Sequence, residues 1–145
     1  MFGIHVTKTL NKPITEVFDL LADHANYQSF RGIKKSRLLE QGHTEVNGEG
    51  ALRLIDLGSV KLTERITHFD RPNRIDYLIE KSTPLPFKHQ EGSITLRADG
   101  DKTHVDWVSR GYIDILIFGK LLFEPLFESQ GAKGFASLLK QIEQR

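Results

Sequence analysis

Between Val60 and Trp107 the chain alternates apolar and polar residues strand after strand, and the apolar parity resumes after each polar turn. Val60, Leu62, Glu64 and Ile66 fall on one face, with Lys61, Thr63, Arg65 and Thr67 on the other. A period of two gives a strand one buried face and one wet face. Asp70-Arg71-Pro72-Asn73 turns the chain, and Ile75, Tyr77 and Ile79 continue the apolar side. A further turn from Ala98 to Thr103 joins Ile94 and Leu96 to Val105 and Trp107. A curved antiparallel sheet with one apolar face must be covered. The C-terminal segment supplies a cover, because Phe123, Phe127, Gly131, Phe135, Leu138, Leu139 and Ile142 recur at three- and four-residue steps. Sheet plus one long helix is the outline of a binding cavity.

At 145 residues the chain reads as one domain, 1–145, large enough to bury a core. A net charge of +1 lacks the basic surplus of a nucleic-acid binder. With no cysteine, disulfides, thiolate catalysis and thiolate metal sites are excluded. Met1-Phe2-Gly3-Ile4-His5 lacks the pattern of a signal peptide. The apolar stretch 113–127 is broken by Asp114, Lys120, Glu124 and Pro125 and falls short of a membrane span. These features predict a soluble, cytoplasmic protein.

Residues 3–10 alternate as an opening strand. Pro13 suits the first position of a helix, and Ile14, Val17, Phe18 and Leu21 form its apolar stripe. A second short helix or turn holds residues 26–30. Strands are predicted at 32–40, 49–57, 59–69, 74–82, 90–98 and 103–112, with Leu57-Gly58 as a tight hairpin turn. Pro84 and Pro86 make 82–87 an edge or a loop. The last helix is predicted over 116–142, with Pro125 kinking or restarting it. The fold class is therefore α+β: a seven-stranded curved antiparallel sheet around a long C-terminal helix, with two short helices after the first strand.

The local motifs have a family likeness. Phe18-Asp19-Leu20-Leu21-Ala22-Asp23, with Tyr27 and Phe30 after it, resembles the first-helix signature of the START/polyketide-cyclase (SRPBCC) superfamily. Residues 47–53 and 64–74 resemble its central hairpins. Residues 100–107 resemble its Gly-Asp-Gly-Thr turn and following strand, with Lys102 where glycine is usual. The resemblance covers nearly the whole chain. It implies a helix-grip fold and a cavity for an apolar or aromatic molecule, in a superfamily that includes lipid carriers, hormone-binding proteins, cyclases and coenzyme Q-binding proteins.

Glu64 shares its face with Leu62 and Ile66, and a carboxylate there needs a partner or a proton. Arg53 is the partner in view: with a two-residue turn at Leu57-Gly58 it lies opposite Leu62 and diagonal to Glu64. Either Glu64 reaches water at a bulge or edge, or the two form a structural ion pair, or they contact a ligand directly or act as acid and base. Tyr77 and Trp107 are core aromatics or present polar atoms to the cavity. With Ile94, Phe123, Phe127 and Gly131, these residues are the candidate ligand-binding set. Gly131 and Gly134 mark close packing or space left for a ligand. The six histidines show no metal-ligand spacing; Glu64 and His68 stand roughly 13 Å apart along one strand. His89, beside the Pro84–Pro86 loop, either lines a cavity mouth or, the favoured reading, is a solvated loop histidine. Neither Gly92-Ser93-Ile94 nor Gly58-Ser59-Val60 has the elbow of a serine nucleophile, and no glycine-rich phosphate loop precedes a helix. No metal, cofactor or catalytic residue is assigned.

Two functions remain open: binding or transport of a small hydrophobic ligand (lipid, isoprenoid or polyketide-like), and a polyketide cyclase or dehydratase with acid-base help from Glu64, Arg53 or Tyr77. A third, weaker reading makes 115–118 a protein-interaction surface; the segment reads equally as a membrane-docking lip or simply as core. The expected partners are a small hydrophobic molecule and transient membrane contact, without nucleic acid, in a monomer or weak homodimer.

Overall fold

A computed structural model describes the backbone of residues 1–145 and every side chain except those of Ile117 and Phe118. Seven strands form one antiparallel sheet: β1 (Phe2–Leu10), β2 (Lys35–Glu40), β3 (Leu52–Asp56), β4 (Lys61–Asp70), β5 (Arg74–Thr83), β6 (Phe87–Asp99) and β7 (Lys102–Ile113). Their order is β1-β7-β6-β5-β4-β3-β2. A helix α1 (Ile14–Ala22) and a 3-10 turn (His24–Ser29) follow β1, and a long helix α2 (Ile117–Glu143) closes the chain. Pro13 sits just before the first helical residue of α1.

The alternation translates directly into burial. On β4, Leu62, Glu64 and Ile66 are buried, and their neighbours are half-buried or exposed. Ile75, Tyr77 and Ile79 on β5, Ile94 and Leu96 on β6, and Val105 and Trp107 on β7 continue that face. α2 lies against it through Leu138, Leu139 and Ile142, all buried. Its side chains also bind backbone in and just beyond the strands. Glu128 accepts the Gly3 N–H (2.7 Å), Glu143 the Asn11 N–H (2.7 Å) and Glu124 the Ile113 N–H (3.2 Å).

Several expected details differ. β2 starts later than predicted, at Lys35, because the chain turns after Phe30 with the Ile33 N–H on the Phe30 carbonyl. β3 starts later, at Leu52, because residues 41–51 form a looped connection closed by its own backbone bonds, such as Gly48 N–H to the Glu45 carbonyl. β3 and β4 are joined by four residues, Leu57 to Val60, since Asp56 pairs with Lys61. The Gly58 backbone there has φ +89°, a conformation open to glycine. α2 passes through Pro125 without restarting. Proline leaves the carbonyl four residues earlier unbonded, here that of Leu121, whose side chain is exposed. β6 begins at Phe87, earlier than the prolines suggested, because the Ser82 hydroxyl accepts the Phe87 N–H (2.9 Å) across the Pro84–Pro86 bend.

Candidate functional site

Beyond Asp76 and Ser93 the ladder between β5 and β6 ends, and α2 leaves the concave face of the sheet partly uncovered. The result is a cavity of about 520 Å³, within the usual range for small-molecule sites. Its walls are mainly apolar and aromatic, including Ile4, Ile55, Leu62, Ile79, Leu85, Phe87, Trp107, Phe123, Phe127, Phe135 and Leu138. Arg53, Glu64, Tyr77 and Gly131 also line it. Ile66 and Ile94, expected on the cavity, are packed in the core and do not line it. Phe123 is half exposed at the α2 side of the opening.

The cavity wall carries one buried ionic cluster. Arg53 lies directly opposite Glu64, one pair off the diagonal register expected, because the connecting turn has four residues. Arg53 Nε donates to Glu64 Oε1 at 2.8 Å, with both side chains almost wholly enclosed. The guanidinium also lies over the rings of Tyr27 (5.3 Å) and Tyr77 (5.2 Å), where the ring quadrupoles favour a cation. Burial is the largest single influence and alone would lower the Arg53 pKa; the Glu64 carboxylate, its hydrogen bond and the two tyrosines together offset it and hold the pKa above the ordinary value.

Sequence reasoning missed His24, which completes the cluster. Its Nδ1 accepts from Arg53 Nη1 at 2.7 Å, and its Nε2 donates to the Asn47 carbonyl at 3.0 Å. The two bonds fix the neutral ring with its proton on Nε2. Burial first, and Arg53 second, push its pKa down to about 2. No local spacing announces a contact made across 29 positions.

The sign of the resulting pH dependence follows. The unfolded chain protonates this ring below about pH 6.5 while the native state does not, so stability is complete above that value and falls with decreasing pH toward about 2. One such proton gives a slope of about 1.4 kcal/mol per pH unit. Urea unfolding at pH 7 and pH 5 is expected to show lower stability at pH 5, and His24→Asn is expected to flatten the slope. An equal slope in that variant would place the effect elsewhere.

A second polar chain fills the seam where β5 and β6 part. The Ile79 N–H donates to His89 Nδ1 (3.0 Å), replacing a lost ladder bond, and His89 Nε2 contacts the Ser109 hydroxyl (2.8 Å). Trp107 Nε1 donates to the Tyr77 hydroxyl at 2.9 Å. His89 stacks on Tyr77 at 5.6 Å, and burial lowers its pKa to about 4. His89 is thus a half-buried part of the sheet, not the solvated loop residue expected. Trp107 stacks face to face on Phe135, with centroids 4.0 Å apart.

The two helix glycines separate. A Cβ at Gly131 would fall 2.3 Å from Ile4 Cδ1, so this glycine permits close packing of α2 on β1. A Cβ at Gly134 would meet nothing within 4 Å, and this glycine leaves open cavity space. In the segment 115–118, Leu116 is exposed, and the side chains of Ile117 and Phe118 lie outside the described residues. Among the described residues no group of three His, Asp or Glu side chains could hold a metal, and no helix is long and apolar enough to cross a membrane.

A curved sheet gripping one long helix over an apolar cavity defines a START-like domain. The match to a family model is complete: residues 1–145 fit the family described as polyketide cyclase/dehydrase and lipid transport, and the chain belongs to that family. Among solved structures, a START superfamily protein from Mycobacterium smegmatis is similar at 13% identity and TM-score 0.80, with 100% of this chain and 97% of that one covered. A protein from Thermus thermophilus is similar at 20% identity and TM-score 0.79, covering 98% and 94%. The Zhui aromatase/cyclase from a Streptomyces species is similar at 19% identity and TM-score 0.75, covering 99% and 94%. The sequence matches no curated protein at a significant level. At these identities the structural likeness establishes the fold.

Proposed function

We propose that residues 1–145 act as one ligand-binding domain that carries or senses a small hydrophobic molecule in the cavity between sheet and α2. The reading rests on one observation: the cavity walls are apolar and aromatic, while the buried charged groups among them, Arg53 and Glu64, are already committed to each other. An apolar guest can displace water there without stripping a charge of its partner. A lipid, an isoprenoid or a polyketide-like molecule satisfies this chemistry.

The cyclase or dehydratase reading draws on the same wall, where Arg53, Glu64 and Tyr77 face the space a substrate would occupy. A general acid or base must exchange a proton with its substrate near neutral pH. Glu64 is tied to Arg53, His24 stays neutral, and burial raises the Tyr77 phenol. These groups serve the fold better than proton transfer, and carriage is favoured.

Titration with N-phenyl-1-naphthylamine, a neutral apolar dye whose fluorescence rises on leaving water, tests the proposal. Saturable enhancement with near one-to-one stoichiometry is expected from the native protein. Weak, non-saturating enhancement would remove the cavity from the account and leave the interaction-surface reading.

A further inference from the structure

We propose that the cavity mouth holds an anion-recognition corner built on Arg31, and that the preferred ligand is a carboxylate-bearing amphiphile. This rests on the cavity reading above and adds the chemistry of the ligand's polar end. Arg31 lines the cavity and is exposed at its edge. Its guanidinium makes no ion pair among the described side chains, unlike Arg53, whose charge is spent on Glu64.

The backbone beneath that guanidinium is held from two sides. The Arg31 N–H donates to Gln141 Oε1 at 2.7 Å, and Gln141 Nε2 donates back to the Arg31 carbonyl at 3.3 Å. Gln141 is itself buried, so α2 clamps this segment. On the other side the Lys34 N–H donates to the Asp56 carbonyl at 2.8 Å, joining the segment to the end of β3. Gly32, at φ +94°, supplies the bend between these anchors. The base of the cation is fixed while its planar donors stay free.

The mouth is amphipathic. The lining also includes the exposed residues Ser59 and Ser137, and Lys34 and Lys61 are next along the chain to cavity-lining Ile33 and Val60. Of the carboxylates on this side, Glu64 is ion-paired with Arg53, and Asp56, buried at the end of β3, accepts the Gly58 N–H at 2.8 Å. Elsewhere the edge is formed by Phe123 and Leu126 of α2. A hydrocarbon makes no use of the positive corner. A carboxylate does, because a guanidinium fork matches its two oxygens and the pair gains strength beside a low-dielectric cavity. The apolar body then enters and the acid remains at the mouth.

Displacement of N-phenyl-1-naphthylamine by dodecanoate, dodecanol and dodecylamine, each below its micelle concentration, tests this. Dodecanoate is expected to displace the dye at about tenfold lower concentration than dodecanol, with dodecylamine weakest. Arg31→Gln should bring acid and alcohol together when each is scored against that variant's own dye affinity, and Arg31→Lys should keep part of the preference. Added salt should weaken the acid alone. Equal displacement by acid and alcohol, or an acid preference that survives Arg31→Gln, overturns the proposal. So does flotation with anionic phospholipid vesicles without any preference for the monomeric acid, which would assign these cations to a membrane surface. Failure of the dye itself to bind is a different result and removes the cavity reading.

Discussion

A chain ending at Asp114 is expected not to fold. The deletion removes α2 and uncovers the concave face of the sheet. Leu138, Leu139 and Ile142 are buried, and each forfeits about 1.5–3 kcal/mol on exposure. Trp107 loses its stacking partner Phe135, and the N–H groups of Gly3, Asn11 and Ile113 lose their glutamate acceptors. Together these losses rival the 5–15 kcal/mol, roughly, that stabilises a whole domain. Calorimetry of the truncated protein should show no cooperative transition. A transition at the full-length temperature would mean that the sheet stands without its helix.

Loss of either partner in the buried ion pair is the next largest expected effect. Arg53→Met leaves Glu64 enclosed without its cation, and Glu64→Gln leaves Arg53 enclosed without its anion. Each should cost about 3–5 kcal/mol in urea unfolding. Arg53 carries the larger share of contacts, because His24, Tyr27 and Tyr77 also face it. Replacing both residues by apolar side chains of similar volume should recover much of the loss, with a coupling of about 0.5–3 kcal/mol. Small, additive single effects would show that the pair does not hold in solution.

These two results bear on what alternation and helical spacing can reveal. Parity placed Glu64, Tyr77 and Trp107 on the inward face, since side-chain direction along a strand is a local property. Parity carries no information about depth on that face, so Ile66 and Ile94 shared the pattern yet lie in the packed core away from the cavity. Register is set by the turn, and an extra pair of residues in the β3–β4 connection moved Arg53 from a diagonal to a direct neighbour of Glu64. His24 and His89 were illegible for another reason. Each finds its partners through tertiary contacts, His24 across the start of the sheet and His89 where two strands part. The helical period likewise put Gly131 and Gly134 in one element, while only the position of β1 decides which of them is crowded.

Gly134 gives the most direct test that the enclosed space is a binding site. A Cβ at Gly134 would meet nothing within 4 Å, and this exposed residue lines the cavity, so Gly134→Phe is expected to place its ring in open space at the cavity edge. Replacing a helical glycine should, if anything, stabilise α2, by about 1 kcal/mol for alanine. Titration of the variant with N-phenyl-1-naphthylamine beside the wild type is predicted to show binding lost or weakened by about tenfold or more, with the melting temperature held or raised. Unchanged dye affinity in a folded Gly134→Phe protein would contradict the assignment of this cavity as the ligand site.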